Sequence, residues 1–192
     1  HYPLRRQRQM CIRDSGYRHE NPLRRRYYDS GSNEGIAHYN EELMLQAGLF
    51  DAAPHTRTVI WNFMRLRALR VEADIGLATG DLSLEDAADL FSTKVFVDRA
   101  TALKESAFYA GNPGIALSYQ VGKHQLMRLI SESIQIQGDA FEFQKIHDAV
   151  WKDGNVPFAL LNWEINGNKE DLNSIDEDPL TGVIPPKPDF DR

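Results

Sequence analysis

The chain has 192 residues with 22 basic and 28 acidic side chains, so its formal net charge is −6. A composition that is 42% hydrophobic and 26% charged is typical of a globular domain and excludes general disorder. The single cysteine excludes an intramolecular disulfide and a thiolate zinc cluster. The short apolar runs predict no membrane span, and the mild acidity argues against a nucleic-acid binder.

The positive charge is concentrated at the beginning of the chain. Residues 1–28 contain eight arginines and two acidic residues, so the remainder carries a net charge of −12. One interpretation is an arm that binds nucleic acid or a membrane. We favour another, in which the stretch from Arg8 to Ser15 resembles translated sequencing adaptor, because it has neither an apolar period nor a helix cap. We therefore exclude residues 1–15 from the fold and expect the natural protein to begin further upstream.

Helical periodicity begins near residue 33, and no alternating run predicts a strand. Three helix beginnings carry capping signals: Pro54 in a first turn, the Ser83–Asp86 capping box, and Asp98. The fold class is therefore all-α, an array of six to seven helices that forms part of a larger helical domain. The predicted helices cover residues 34–47, 54–79, 83–93, 98–110, 114–137, 141–152 and 156–165.

Two of these regions carry a further expectation. The helix over residues 54–79 has apolar side chains around much of its circumference, which predicts a central, largely buried helix. Residues 16–165 are assigned to the helical domain. Residues 166–192 are rich in glycine, asparagine and acidic residues and then in proline, so we expect an irregular tail.

Common catalytic motifs are incomplete in this chain. Gly122-Lys123 resembles the end of a phosphate-binding loop, but Leu117 replaces the first glycine of that motif. A zinc-protease helix needs two histidines one turn apart, and Leu23 stands four residues after His19. No two of the six histidines have this spacing, so the chain has no self-contained metal site by sequence.

Several polar residues remain as candidates. Glu34, His38 and Glu41 share one face of the first predicted helix, and the alternative for this face is a solvated acidic surface. Gly35 is costly inside a helix, which predicts that the backbone there packs closely against another element.

Two further pairs have competing interpretations. Arg70 and Asp74 lie one turn apart, a spacing that allows them to pair, and we interpret them as structural if buried, with a substrate-carboxylate clamp at Arg70 as the alternative. Tyr119 and Lys123 share a helix face, and Tyr119 alternatively packs in the core with its hydroxyl bonded to a carbonyl. We interpret the neighbouring His147-Asp148 as a local cap or a core hydrogen-bond pair.

Together these segments resemble the bacterial family known as domain of unknown function 885, in order and spacing from about residue 17 to residue 165. The resemblance is carried by Arg18–Arg25, by Asn33-Glu34-Gly35 through Leu43, by Arg65–Val71, by Pro113–Lys123, and by His147–Trp151 with Gly154–Pro157.

The resemblance implies a large helical protein similar to zinc-dependent metallopeptidases, with peptides as substrates. In that family a His-Glu and Pro-Gly-His-His motif lies upstream and is taken to supply zinc ligands and a general base. Glu34 then corresponds to the third protein ligand, and Glu41 to a carboxylate that orients a ligand. Tyr119 corresponds to a hydrogen-bond donor for the oxyanion of the tetrahedral intermediate.

The chain departs from the family because the upstream histidine motif is absent and Ala78 stands where many relatives have histidine. We therefore expect this chain to bind zinc weakly or not at all, to be inactive by itself, and to expose apolar surface where the upstream part of the same domain packs. The alternative is a non-catalytic helical interaction module. The candidate residues are Glu34 for metal, Tyr119, Arg70 and Lys123 for catalysis, and His38, Glu41 and Asp74 for support.

Overall fold

The computed structural model describes residues 19–152 and 154–177. These residues form eight α-helices and one short 3-10 turn at Gly138–Ala140, with no β-strand, which confirms the all-α class. The helices are α1 (Ser30–Gln46), α2 (Pro54–Thr79), α3 (Leu84–Lys94), α4 (Arg99–Gly111), α5 (Ile115–Gln137), α6 (Phe143–Lys152), α7 (Phe158–Asn166) and α8 (Glu170–Glu177).

The helix ends follow the local signals in the sequence. Ser83 and Asp86 form the predicted capping box at the start of α3, and the Asp98 side chain accepts from the backbone N–H of Thr101 at the start of α4. Gly80 ends α2 in the left-handed conformation, with φ +80°. These boundaries are therefore decided within a few residues of each helix end.

Helix α1 begins one turn earlier than the periodicity predicts. Asp29 is its N-cap and accepts a hydrogen bond of 2.6 Å from the backbone N–H of Ser32. A distant segment holds this turn in place, because the backbone N–H of Asp29 donates to the carbonyl of Asn155 at 3.0 Å. The Ser32 hydroxyl donates to the carbonyl of Val156, so two hydrogen bonds join the segment before α7 to the start of α1.

The apolar interior divides into two clusters of buried side chains. The first lies between α1, α5, α6 and α7, and the second lies between α2, α3 and α4 and reaches the first turn of α5 at Ala116. Helix α5 is the element that belongs to both, and it packs against α1, α2 and α7. The first cluster contains Ile36, Tyr39, Leu126, Leu129, Ile130, Ile146, Val150, Val156, Phe158 and Leu161; the second contains Leu66, Ala73, Ala87, Ala88, Phe91, Val95, Ala102, Tyr109 and Ala116.

The expectation of a central, largely buried helix over residues 54–79 is wrong. The buried residues of α2 lie in its second half, whereas Val59, Trp61 and Phe63 in its first half are each about half exposed. The first half has apolar residues but lacks neighbouring elements among the described residues that would cover them. Apolar periodicity therefore identifies side chains that favour burial without showing what buries them.

The tail also differs from its expectation at one point. Residues Glu170–Glu177 form helix α8 instead of irregular chain. Arg128 of α5 explains its position, because its guanidinium binds Glu170 at 2.5 Å and Asp171 at 2.7 Å. The proline-rich end of the tail and the adaptor-like residues 1–15 lie outside the described residues.

Candidate functional site

The candidate site is built on a close approach between α1 and α5. A Cβ atom on Gly35 would lie 2.6 Å from the Cα of Gly122 and 2.7 Å from the backbone nitrogen of Lys123. A Cβ atom on Gly122 would overlap the carbonyl oxygen of Gly31. The prediction that Gly35 marks close backbone packing is thus confirmed, and Glu34 is the residue that immediately precedes this contact.

Glu34 lies on the second turn of α1 and is partly buried. Its carboxylate accepts a long hydrogen bond of 3.4 Å from the Asn33 amide, which also donates to the Tyr28 hydroxyl at 3.2 Å. Within residues 19–152 and 154–177, Glu34 forms no ion pair. Its negative charge is therefore held near the helix crossing without a neutralising cation from the described part of the chain.

Two other carboxylates on α1, the candidate Glu41 and its neighbour Glu42, are neutralised. Glu41 is bound by both terminal nitrogens of the Arg67 guanidinium, at 2.6 and 2.8 Å, and the Arg67 side chain is only 8% exposed. Glu42 is bound by Lys123 of α5. Because such paired carboxylates are expensive to separate inside a protein, these contacts join α1 to α2 and to α5.

His38 lies within the same group of charges and is buried. One ring nitrogen, Nε2, lies 3.3 Å from the Gln120 amide nitrogen, and Nδ1 has no hydrogen-bond partner among the described residues. Burial, followed by the positive charges of Lys123 and Arg67, lowers the His38 pKa to about 4. The imidazole is therefore neutral near pH 7, with one donor and one acceptor nitrogen, and Nε2 accepts from the Gln120 amide.

The predicted Arg70–Asp74 pair is wrong. The Asp74 carboxylate is almost fully buried and accepts from the backbone N–H groups of Gly114 and Ala116, both at 2.9 Å. These are unpaired donors at the start of α5, and a carboxylate there satisfies them and is favoured by the helix dipole. Asp74 thus holds α5, which carries Tyr119 and Gly122, against α2.

Arg70 points to α4 instead. Its guanidinium binds Glu105 at 2.7 and 2.8 Å and lies 5.9 Å from the centre of the Tyr109 ring. Burial raises the pKa of Tyr109 to about 12. Arg70 therefore belongs to a charged pair between α2 and α4, and not to the group around His38.

Tyr119 is partly buried on α5, one turn before Lys123. Helix α5 packs against both α1, which carries Glu34, and α2, which carries Arg70, but the Arg70 guanidinium is turned away to Glu105 of α4. The structure gathers His38, Glu41 and Lys123 into one polar group. Sequence reasoning missed the partners Arg67, Glu42 and Gln120 of that group, since their roles depend on which helices meet.

The neighbouring residues His147 and Asp148 do not pair with each other. The His147 ring nitrogen Nε2 lies 3.0 Å from the Tyr39 hydroxyl, and burial lowers the pKa of His147. Asp148 instead lies 3.8 Å from Lys152 on the surface of α6. His147 is thus a partly buried hydrogen-bonding residue, with a partner from α1.

A separate cleft of about 260 Å³ opens between the C-terminal halves of α1 and α5 and the beginning of α6. Tyr39 lies at its base, and Glu42, Gln46 and Ser131 supply polar atoms. Its apolar walls come from Leu43, Met127, Ile130, Ile134 and Phe143.

The described residues do not fit a complete zinc site. They contain no group of three histidine, cysteine, aspartate or glutamate side chains that could hold a metal ion. Catalytic zinc usually has three protein ligands and one water, so this part of the chain offers Glu34 as a single carboxylate at most. Across the described helices, none combines the length and hydropathy needed to cross a membrane.

Comparison with known proteins identifies the family of this chain and a solved structure with a similar fold. A crystal structure described as a "putative lipoprotein" from Colwellia psychrerythraea superposes with a TM-score of 0.70 at 26% sequence identity. The match covers 81% of this chain but 26% of that one, so the chain spans about a quarter of the length of this relative. No curated protein matches. The family of bacterial proteins of unknown function DUF885 matches residues 15–165, and the chain therefore belongs to that family.

Proposed function

We propose that this chain is the C-terminal helical part of a zinc-dependent, metallopeptidase-like hydrolase that acts on peptides. In this proposal Glu34 supplies one metal ligand, and histidines from the upstream part of a longer polypeptide supply the others. Family membership and the fold shared with a chain about three times as long support it. The proposal assigns no hydrolytic activity to the present chain alone.

The observation that carries the proposal is the contrast among the carboxylates of α1. Glu41 and Glu42 are bound by Arg67 and Lys123, whereas Glu34 has no such cation among the described residues. A carboxylate that an arginine already holds through both oxygens is a poor metal ligand, because binding would first require that pair to break. Glu34 is partly buried and precedes Gly35, whose backbone packs closely against that of Gly122, which favours a fixed backbone position for the ligand.

The remaining candidates have supporting roles. Tyr119 is the proposed hydrogen-bond donor to the oxyanion that forms when a peptide carbonyl is attacked. Lys123 and Arg70 are each held by a carboxylate, Glu42 and Glu105, which favours positioning of the helices over contact with the peptide. Asp74 of α2 holds the first turn of α5 by two hydrogen bonds, and this contact helps to set the position of Tyr119 relative to α2.

The exposed apolar face of α2 fits the same proposal. Val59 and Phe63 lie one turn apart on the same side of its first three turns and are each about half exposed, and Trp61, equally exposed, lies on the opposite side. Exposed apolar side chains such as Val59 and Phe63 on one helix face commonly mark an interaction surface. We assign this face to the upstream part of the same polypeptide.

The test uses the natural gene product with its upstream region. The parent protein should contain about one zinc ion per chain, measured by plasma mass spectrometry, and should hydrolyse peptides in a chelator-sensitive manner. Glu34→Gln should lose most of the zinc and the hydrolysis while keeping its helical circular dichroism. Glu85→Gln is the matched control, since Glu85 also lies near a helix start but is a surface partner of Arg99.

A parent-like zinc content in Glu34→Gln would overturn the assignment of Glu34. The exposed face of α2 also favours a second candidate function, a non-catalytic helical interaction module. That alternative predicts that the longer protein contains no stoichiometric zinc and that Glu34→Gln changes neither metal content nor partner binding.

A further inference from the structure

The cleft between α1, α5 and α6 leaves apolar side chains in contact with water. Met127, Ile134 and Phe143 line it and are 48%, 43% and 45% exposed. A molecule that filled the cleft would remove part of this apolar area from water, which is the main source of affinity for small apolar groups.

The aromatic side chains at one end of the cleft are held in fixed orientations. Phe143 packs edge-to-face against His147, with ring centroids 5.0 Å apart, and against Phe141 at 5.4 Å. His147 in turn binds the Tyr39 hydroxyl at 3.0 Å. A wall of fixed ring edges and faces is suited to another aromatic ring, because aromatic pairs prefer such edge-to-face and offset contacts.

The charges around the cleft are already compensated. The Glu42 carboxylate is bound by Lys123 and also accepts from the Gln46 amide at 3.1 Å. The cleft therefore offers no unpaired charge to attract an ionic group. By charge complementarity, a neutral ligand matches the cleft better than an ionic one.

We propose that this cleft binds one neutral aromatic side chain of a peptide. Its volume of about 260 Å³ exceeds the roughly 150 Å³ of an engineered cavity that binds benzene, so one ring fits. That the ring is carried by a peptide rests on the proposed function. The shape and neutrality of the cleft do not depend on it.

The position of the cleft along α1 relates it to Glu34. Glu42 follows Glu34 by eight residues, which corresponds to about 12 Å along a helix axis. An extended peptide covers that length in about four residues. The cleft would therefore select a side chain several residues away from a bond held near Glu34.

The experiment titrates the present full chain, without metal, with N-acetyl-L-phenylalanine amide and follows methyl and amide signals by NMR. Saturable shifts should centre on Met127, Ile130 and Ile134, with a Kd on the order of 1 mM for a ligand of this size. N-acetylglycine amide has the same backbone without the ring and should produce no saturable shift. Ile134→Trp should fill the cleft and weaken binding by at least about tenfold.

Ile136→Trp is the matched control, because Ile136 lies two residues further on α5, is 63% exposed and does not line the cleft. Equal affinity in the two variants, or equal shifts with the glycine ligand, would overturn the proposal. So would loss of binding in the longer protein, since the upstream part would then occupy the cleft. Ring binding requires no zinc, so failure of the Glu34→Gln test would leave this result unaffected, and the reverse also holds.

Discussion

Helices α1 and α2 both carry apolar residues on several sides, yet α1 is buried on several sides whereas the first half of α2 is exposed. Buried residues of α1 include Gly35, Ile36, His38 and Tyr39, which point in different directions around the helix. Helix α2 is longer, but its first half is largely exposed. The difference lies in the contacts: α1 meets α5 through glycine backbone, whereas α2 meets its neighbours mainly through side chains in its second half. Close packing is therefore signalled better by glycine at a helix interior than by the total number of apolar residues.

The most direct way to break this comparison is to add a methyl group to one glycine of each helix. Gly35→Ala would place its Cβ against the backbone of Gly122, which cannot move aside, and should destabilise the protein by about 3 kcal/mol. Gly76→Ala in α2 would meet the Leu82 side chain at Cδ1 and Cγ instead of backbone, and both the rotation of that side chain and the better helix propensity of alanine offset part of the cost. We expect a smaller loss of about 1.5 kcal/mol for Gly76→Ala, measured by urea unfolding.

Gly111→Ala controls for the general effect of removing a glycine, because a Cβ there meets nothing within 4 Å. Gly111→Ala should leave the free energy of unfolding unchanged or raise it slightly. Equal losses for the changes at Gly35 and Gly76 would show that the α1–α5 crossing is no more rigid than the contacts of α2.

A second substitution tests how α2 holds α5. Asp74→Asn removes the charge that accepts two backbone N–H groups and places amide hydrogens near those donors, so the free energy of unfolding should fall by about 2 kcal/mol. Asp139→Asn, at an exposed site in the 3-10 turn, should change it by less than about 0.5 kcal/mol. Hydrogen exchange of the first turn of α5 should increase in Asp74→Asn. Unchanged protection there would contradict the assigned role.

The third prediction, which concerns a gradual change instead of a single substitution, involves pH and the buried polar group beside α1. The His38 pKa is about 4 in the folded protein against an ordinary value of 6.5, so the unfolded chain binds a proton first as the pH falls. The contribution of neutral His38 to the free energy of unfolding should be complete above about pH 6.5. It should decline toward pH 4, by at most about 1.4 kcal/mol per pH unit. His147 contributes in the same direction, since burial lowers its pKa as well.

His38→Gln should therefore reduce the pH slope without removing it, as followed by unfolding at several pH values. The exposed His55 provides the control, and His55→Gln should keep the slope of the parent protein. A slope in His38→Gln equal to that of the parent would mean that His38 titrates similarly in the folded and unfolded states.

Several features of the fold and of the site followed from neighbouring residues alone. The Ser83–Asp86 box and Asp98 mark helix starts because their side chains bond to backbone groups only three residues away. The Gly35 prediction succeeded for a different reason, since a glycine that weakens a helix implies a compensating contact. The Arg70–Asp74 prediction failed because spacing on one helix does not reveal competing partners on other helices.

Sequence periodicity, caps and glycine positions were sufficient to determine the all-α class and most helix boundaries, since these depend on interactions within a few residues. Only the tertiary structure decided that Arg67 and Lys123 neutralise Glu41 and Glu42, that Asp74 holds α5, and that the first half of α2 is exposed. These outcomes join residues that are distant in the chain. They depend on the three-dimensional packing of the helices, which the pattern within any one helix does not specify.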